Sequence, residues 1–341
     1  MSQFLSKCTA TAMVDAAANL LVGNLVAFPT ETVYGLGADA CNADAVARIY
    51  AVKGRPADHP LIVHVASMEG LGDWADDVPG YAISLARDFW PGPMTLIMKR
   101  SELAGDFVTG GQDTVGVRVP DHPVALGLLE AFVRAGGRGV AAPSANRFGN
   151  VSPTTAQAVA DELSEYLAEA DQILDGGPCK VGVESTIIDC TGDVPRILRP
   201  GAVTVAMIEG STGLSAVGAV DSVDIRVSGS LDSHYAPVAT VVLDQTPVAG
   251  QGFIAMADVA TPDGVVRLAA PKSDDEFARV LYAALRAADE QGLKTVVVEQ
   301  PAGDAIAIAI RDRLKRAAHE NPTGATNEKI ESQSEVIDIP E

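Results

Sequence analysis

An α/β protein of two domains is what this sequence predicts, and three observations carry the prediction. Its 341 residues exceed one ordinary domain and suffice for two, each with a core of its own. Helical and extended apolar patterns alternate through the first half, as they do in a domain built on a mixed sheet. A Gly- and Ser-rich stretch from about residue 209 to 233 then separates this half from a second, smaller alternation. With 47% hydrophobic and only 21% charged residues the chain is neither disordered nor fibrous, and 32 glycines with 20 prolines make it turn-rich.

The elements follow in order. Residues 11–21 are Ala-rich with Met13, Val14, Ala17, Leu20 and Leu21 at helical spacing, and Gly23 ends that helix. A strand is expected over 25–28 and a helix over 43–50. The β-branched run from Leu61 to Ala66 marks a buried strand. Further strands fall at 95–98, 115–119, 139–142 and 186–189. The Ser152-Pro-Thr-Thr sequence introduces a helix over 155–168. Beyond Pro200-Gly-Ala lies the linker. Strands at 239–243, 252–256, 265–268 and 295–298 then alternate with two helices. One opens at the capping box Ser273-Asp-Asp-Glu276 and carries Phe277, Val280, Leu281, Ala284 and Leu285 on one face. The other covers 305–318. The resulting division is a first domain over 1–205, a linker over 206–237, a second domain over 238–319, and an acidic tail over 320–341 expected to be disordered.

The charge excludes one class of function. Forty-five acidic against 25 basic residues give a net charge of −20, spread along the chain with no basic arm. Extensive nucleic-acid binding needs clustered Lys and Arg that release counterions from phosphates, so any polyanion handled here is small. No run approaches the ~18 apolar residues of a membrane span, and the N-terminus lacks the pattern of a secretory signal, so the chain reads as cytoplasmic. Cys8, Cys41, Cys179 and Cys190 show no C-x-x-C spacing, which leaves neither a zinc knuckle nor a redox pair.

Common catalytic signatures are also missing. The sequence has no Gly-Lys dipeptide, hence no Walker loop, and no G-x-S-x-G or H-E-x-x-H. Gly35-Leu-Gly37-Ala-Asp-Ala40 imitates a dinucleotide fingerprint, but Pro29 to Tyr34 separate it from the preceding strand. His59 and His64 stand five apart, which on an extended segment sends them to opposite faces and disfavours a shared metal. What remains is a series of polar residues in Gly- and Pro-rich turns at strand ends. They are Phe28-Pro-Thr-Glu-Thr-Val-Tyr-Gly-Leu-Gly37, Lys53-Gly-Arg55-Pro-Ala-Asp-His59-Pro-Leu-Ile-Val-His64, Thr114-Val-Gly-Val-Arg118, Pro143-Ser144-Ala-Asn146, Ser152-Pro-Thr, Val183-Glu-Ser185-Thr and Leu198-Arg199-Pro-Gly. Lys53, Arg55, Arg118 and Arg199 all sit in such turns, where cations hold phosphate or carboxylate oxygens and hydroxyls fill the remaining acceptor sites.

This series resembles, in order and wording, the YrdC-like L-threonylcarbamoyladenylate synthase family over roughly residues 10–205. The residues after the linker look like the C-terminal Rossmann-like domain of its two-domain members, and His234-Tyr235-Ala-Pro237 resembles the end of their connecting segment. The resemblance implies a twisted mixed sheet with a concave ligand cleft. It implies a reaction of L-threonine, bicarbonate or CO₂, and ATP to threonylcarbamoyl-AMP and pyrophosphate. The product then passes to a tRNA threonylcarbamoyl transferase complex. By motif position Thr32, His64, Arg118, Ala142 and Ser185 are similar to the threonine side, with Arg118 on the amino-acid carboxylate. Arg55, His59, Thr114, Ser144, Ser152, Arg199 and Tyr235 are similar to the ATP side. The resemblance also implies Lys53 and Arg55 as the catalytic pair facing the phosphates. Magnesium is implied as a passenger of ATP, with no dedicated protein metal site, and Glu31 and Glu184 as outer-shell contacts.

Two departures from the family wording stand out. His59 occupies a position usually held by Asn, where it would titrate near neutrality. Ser228-Gly-Ser-Leu-Asp-Ser replaces the usual Ser-Pro-Gly-Met and its following basic residues, which removes the Pro, the Met and the positive charge from the segment that serves as a lid. Two other functions compete. One is an RNA-binding or translation-related module, which the acidic charge opposes. The other is carbamoyl transfer of the hydrogenase-maturation kind, whose paired-cysteine motifs are missing here.

Overall fold

A computed structural model describes residues 4–218, 225–229 and 235–319; the acidic tail and His234 lie outside the described residues. The first domain is built on one ten-stranded mixed sheet. Its strands are β1 (Leu5–Lys7), β2 (Val26–Phe28), β3 (Gly35–Asp39), β4 (Ile62–His64), β5 (Met94–Lys99), β6 (Thr114–Arg118), β7 (Val140–Ala141), β8 (Gln172–Asp175), β9 (Thr186–Asp189) and β10 (Arg196–Arg199). Across the sheet they run β1-β8-β2-β3-β7-β4-β6-β5-β9-β10. β8 is parallel to both β1 and β2, β4 to β6, and β5 to β9, while the remaining neighbours are antiparallel.

Helices α1 (Ala10–Leu21), α2 (Ala43–Lys53), α3 (Leu71–Trp74), α4 (Gly80–Phe89), α5 (Asp106–Thr109), α6 (Pro123–Arg134), α7 (Ala156–Leu163) and α8 (Val205–Thr212) surround it. Thr9 Oγ1 caps α1 by accepting from Ala12 N, and Gly23 at φ 88° closes it. α1 packs against α6 over a core of Ala16, Leu20, Leu128 and Phe132.

The structure differs from the sequence expectations in several places. The glycines at 35 and 37 belong to a strand, β3, rather than to a turn. A Cβ on Gly37 would stand 2.7 Å from Val140 and 2.8 Å from Phe28, so close strand packing accounts for that glycine. The helix expected over 155–168 stops at Leu163. α4 and α6 were not anticipated, although Pro123 at the first position of α6 and His122 Nδ1 accepting from Val124 N mark a helix start. The segment read as linker opens with α8, capped by Thr204.

The second domain is a four-stranded parallel sheet of β11 (Thr240–Leu243), β12 (Gly252–Ile254), β13 (Val266–Ala269) and β14 (Thr295–Val298), in the order β11-β14-β12-β13. Helix α9 (Asp274–Glu290) buries Phe277, Leu281, Tyr282 and Leu285, and α10 (Ile306–Ala317) buries Ile310, Arg313 and Leu314. The capping box forms in part: Ser273 Oγ accepts from Glu276 N, while the Glu276 carboxylate accepts from Lys272 N. The two domains share apolar core, since Val33, Val151 and Val183 of the first pack with the α9 and α10 residues of the second. No helix of the described residues is long and apolar enough to cross a membrane.

Candidate active site

A cleft of about 550 Å³ opens where several strands end on the first domain. β4 and β6 run parallel with His64 and Arg118 in register at their last positions, so the sheet delivers imidazole and guanidinium side by side. The turn before β3 supplies Thr32, the loop after β7 supplies Ala142 and Ser144, and the residues before β9 supply Ser185. Arg199 ends β10. All five residues of the expected threonine side line this one cleft, together with Arg55, Ser144, Arg199 and Tyr235 of the expected ATP side.

Arg118 is 4% exposed, and its Nη2 lies 2.7 Å from Glu31 Oε1 and donates to Thr32 Oγ1 at 3.0 Å. Glu31 Oε2 accepts from Asp121 N, which ties the carboxylate to the chain after β6. Burial and the neighbouring Arg118 charge hold the His64 pKa down at about 3, so the ring is neutral at working pH. Its buried Nδ1 has no hydrogen-bond partner among the described residues. A neutral imidazole with an open nitrogen beside a guanidinium suits a small zwitterion, with the carboxylate on the arginine.

Two further cations, Arg55 and Arg199, line the same cleft. Arg55 reaches it because Gly54, at φ 61°, turns the chain sharply at the end of α2. Burial pulls the Arg55 pKa down to about 10, which leaves it a cation at neutral pH, and burial lowers that of Arg199 as well. Arg199 donates to Ser185 O and Oγ. Both arginines also grip the linker: Arg55 Nη2 donates to Ser228 Oγ at 3.3 Å and Arg199 Nη1 to Ser228 O at 2.7 Å. Ile225 and Val227 pack on Ile62, Ile97, Ile187 and Leu198, so residues 225–229 lie as a strap along this edge of the cleft. Ser228 and Gly229, the start of the segment that departs from the family wording, are cleft residues.

Four expected site residues lie outside this cleft. Lys53, on the other side of Gly54, is 2% exposed and donates to Ser144 O at 2.6 Å and to Asn146 O; burial holds its pKa well below the ordinary lysine value. Its amino group therefore braces the Ser144 loop and does not line the cleft. Thr114 borders a neighbouring pocket of about 270 Å³, and Ile62 and Ser228 line both spaces. Ser152 is fully buried, and its Oγ donates to Glu184 Oε1 at 2.7 Å. His59 lies edge-on to Phe148 with centroids 5.3 Å apart, its pKa lowered by burial and then by Arg55.

Tyr235 lines the cleft from its far end with φ 63°, an uncommon conformation for a residue other than glycine. Its ring is stacked on Tyr282, and the Arg313 guanidinium sits 5.4 Å from its centroid. Glu31, beside the cleft, pairs with Arg118, and the cleft-lining Glu184 accepts from Arg313 Nε at 2.8 Å. No group of three or more His, Cys, Asp or Glu fit to hold a metal occurs among the described residues.

Known proteins match this arrangement over both domains. A family pattern described as telomere recombination, the Sua5/YciO/YrdC domain, matches residues 18–201, and one described as the C-terminal domain of threonylcarbamoyl-AMP synthase matches residues 203–319. A threonylcarbamoyl-AMP synthase of Pyrococcus abyssi is 39% identical over 322 residues, covering 89% of this chain and 93% of its own. One from Bacillus subtilis is 40% identical over 327 residues, covering 90% and 92%. The crystal structure of Pyrococcus abyssi Sua5 complexed with L-threonine superposes with a TM-score of 0.83 at 38% identity, covering 92% of this chain and 96% of that one.

Proposed function

Since this chain belongs to the Sua5/YrdC family of threonylcarbamoyl-AMP synthases, with both of its domains in order, we propose that its cleft joins L-threonine, bicarbonate or CO₂, and ATP into threonylcarbamoyl-AMP. The observation that carries this reading is the convergence of His64, Arg118, Thr32, Ser185, Arg55 and Arg199 on one cleft.

The chemistry follows from that convergence. Threonine's amine and CO₂ give a carbamate and a proton. A carbamate oxygen then bonds to the α-phosphorus of ATP as the bond to the β-phosphate oxygen breaks, and pyrophosphate leaves. Two anions must be held together against their repulsion, so catalysis rests on positioning and charge neutralisation, without a covalent enzyme intermediate. Arg118 takes the threonine carboxylate. His64, with its pKa at about 3, accepts a hydrogen bond and not a proton. Arg55 and Arg199 face the phosphates.

Magnesium enters with ATP as part of the substrate. Glu31 and Glu184 are both committed to arginines and do not offer a cage for it. The product is a reactive mixed anhydride, handed on to a tRNA threonylcarbamoyl transferase complex. A strap over residues 225–229, already seated on both phosphate-side arginines, limits its exposure to water. The test is pyrophosphate release with each substrate omitted in turn. Release that needs threonine and bicarbonate together supports the reading, and equal release from ATP alone refutes it.

A further inference from the structure

The second domain meets the cleft at a buried carboxylate. Glu184 lines the cleft and is 6% exposed. Its Oε1 accepts from Ser152 Oγ at 2.7 Å, whereas both partners of its Oε2 come from the second domain: Tyr282 OH of α9 at 2.9 Å and Arg313 Nε of α10 at 2.8 Å. Arg313 is itself 1% exposed, and its Nη2 donates to Pro200 O just after β10. The charge is thus placed within the first domain's anion-binding wall and neutralised from the other domain.

We propose that Arg313 is a positioning residue for the nucleotide, which acts by neutralising Glu184 so that the cleft wall stays free of net negative charge. This rests on the reading of the cleft as an ATP site. Phosphates approaching Arg55 and Arg199 would meet a bare carboxylate without Arg313, and repulsion in a buried setting is far larger than in water. Burial pushes the Glu184 pKa up, but Arg313 and then Arg199 outweigh it and hold it at about 2, so the residue is an anion at every working pH. The groups facing it are Ser152 before α7, Tyr282 on α9, Arg313 on α10, Arg199 on β10 and Tyr235 from the linker. Asp312 accepts from Arg313 Nη1.

Removing the Arg313 charge leaves Glu184 buried with its strongest opposing charge gone, which raises its pKa. The penalty on ATP is then greatest where Glu184 is ionised and shrinks as falling pH protonates it. A double-mutant cycle of Arg313→Gln, Glu184→Gln and the pair separates this from packing. Arg313→Gln should raise the KM for ATP on the order of tenfold at about pH 8, and its ratio to wild type should narrow toward about pH 6. In the Glu184→Gln background the same change should have less than about a twofold effect. Arg313→Lys, which keeps the charge, should show no pH-dependent ratio. Tyr282→Phe, which keeps the stacked ring, should raise the KM for ATP about fivefold with kcat unchanged, and it keeps the test open should Arg313→Gln fold poorly. Equal Arg313→Gln penalties in both backgrounds, or wild-type ATP kinetics in Tyr282→Phe, would overturn the inference while leaving the proposed reaction standing. A wild-type enzyme without ATP-dependent product formation would overturn both.

Discussion

Replacing Arg118 with alanine probes the threonine side at its centre. The guanidinium is held at the end of β6 with three partners: Glu31 Oε1 at 2.7 Å, Thr32 Oγ1 at 3.0 Å and Gly92 O at 3.3 Å. Those contacts fix its direction, so the charge it presents to a carboxylate is preorganised. Losing a charge-assisted pair of this kind costs about 1.5–3 kcal/mol, which converts to a roughly ten- to hundredfold rise in the threonine KM. The variant also strands Glu31, which is 3% exposed, and removing one partner of a buried pair destabilises by about 3–5 kcal/mol. Arg118→Ala with Glu31→Gln relieves that second cost, so the pair of variants separates binding from folding. Steady-state kinetics varying threonine and ATP in turn, beside urea unfolding, reads both. A double variant whose ATP KM rises while its threonine KM stays at the wild-type value would refute the assignment of Arg118.

Three further outcomes are expected. His64 binds its proton at about 3 folded and near 6.5 unfolded, so the unfolded state holds more protons in that window and stability falls as pH drops through it. His64→Asn should therefore shrink the loss in urea midpoint between about pH 7.5 and about pH 5. Lys53→Met leaves the Ser144 and Asn146 carbonyls without their donor, at about 1–3 kcal/mol each, and should lower the thermal midpoint while weakening ATP binding. A wild-type midpoint would contradict its bracing role. Gly229 has φ 80°, and a Cβ there would lie 2.0 Å from the Tyr235 hydroxyl oxygen, so Gly229→Ala should dislodge the strap and raise the hydrolysed fraction of product. Chromatography of nucleotide products against time would show this, and unchanged product survival would mean the strap is only a tether.

The cleft was largely legible from the sequence because its residues sit in short turns at strand ends, where local chemistry fixes what a side chain can reach. Arg55 and Ser144 stand in such turns, while His64, Arg118 and Arg199 are the closing residues of β4, β6 and β10. Lys53 shows where such reading stops. It stands two residues from Arg55, and only the left-handed turn at Gly54 decides that one cation enters the cleft while the other goes into the wall. Ser152 and Glu184 belong to motifs that the sequence displays, but their partnership spans 32 positions, and Arg313 stands 129 positions from Glu184. No local pattern carries such a pairing. Strands β1, β8 and β10 were missed. Glycines 35 and 37 read as turn residues because strand propensity disfavours glycine, and a close approach of Val140 and Phe28 overrode it.

The reaction assigned to the cleft is tested most directly by the fate of carbon from bicarbonate. Enzyme, ATP with magnesium, L-threonine and ¹³C-bicarbonate are mixed, and the nucleotide products are resolved at once by mass spectrometry. The account predicts an AMP conjugate that contains both threonine and the labelled carbon, formed in step with pyrophosphate and lost from Arg55→Ala. An AMP conjugate of threonine without the label would mean direct aminoacyl activation, and would contradict a carbamate nucleophile.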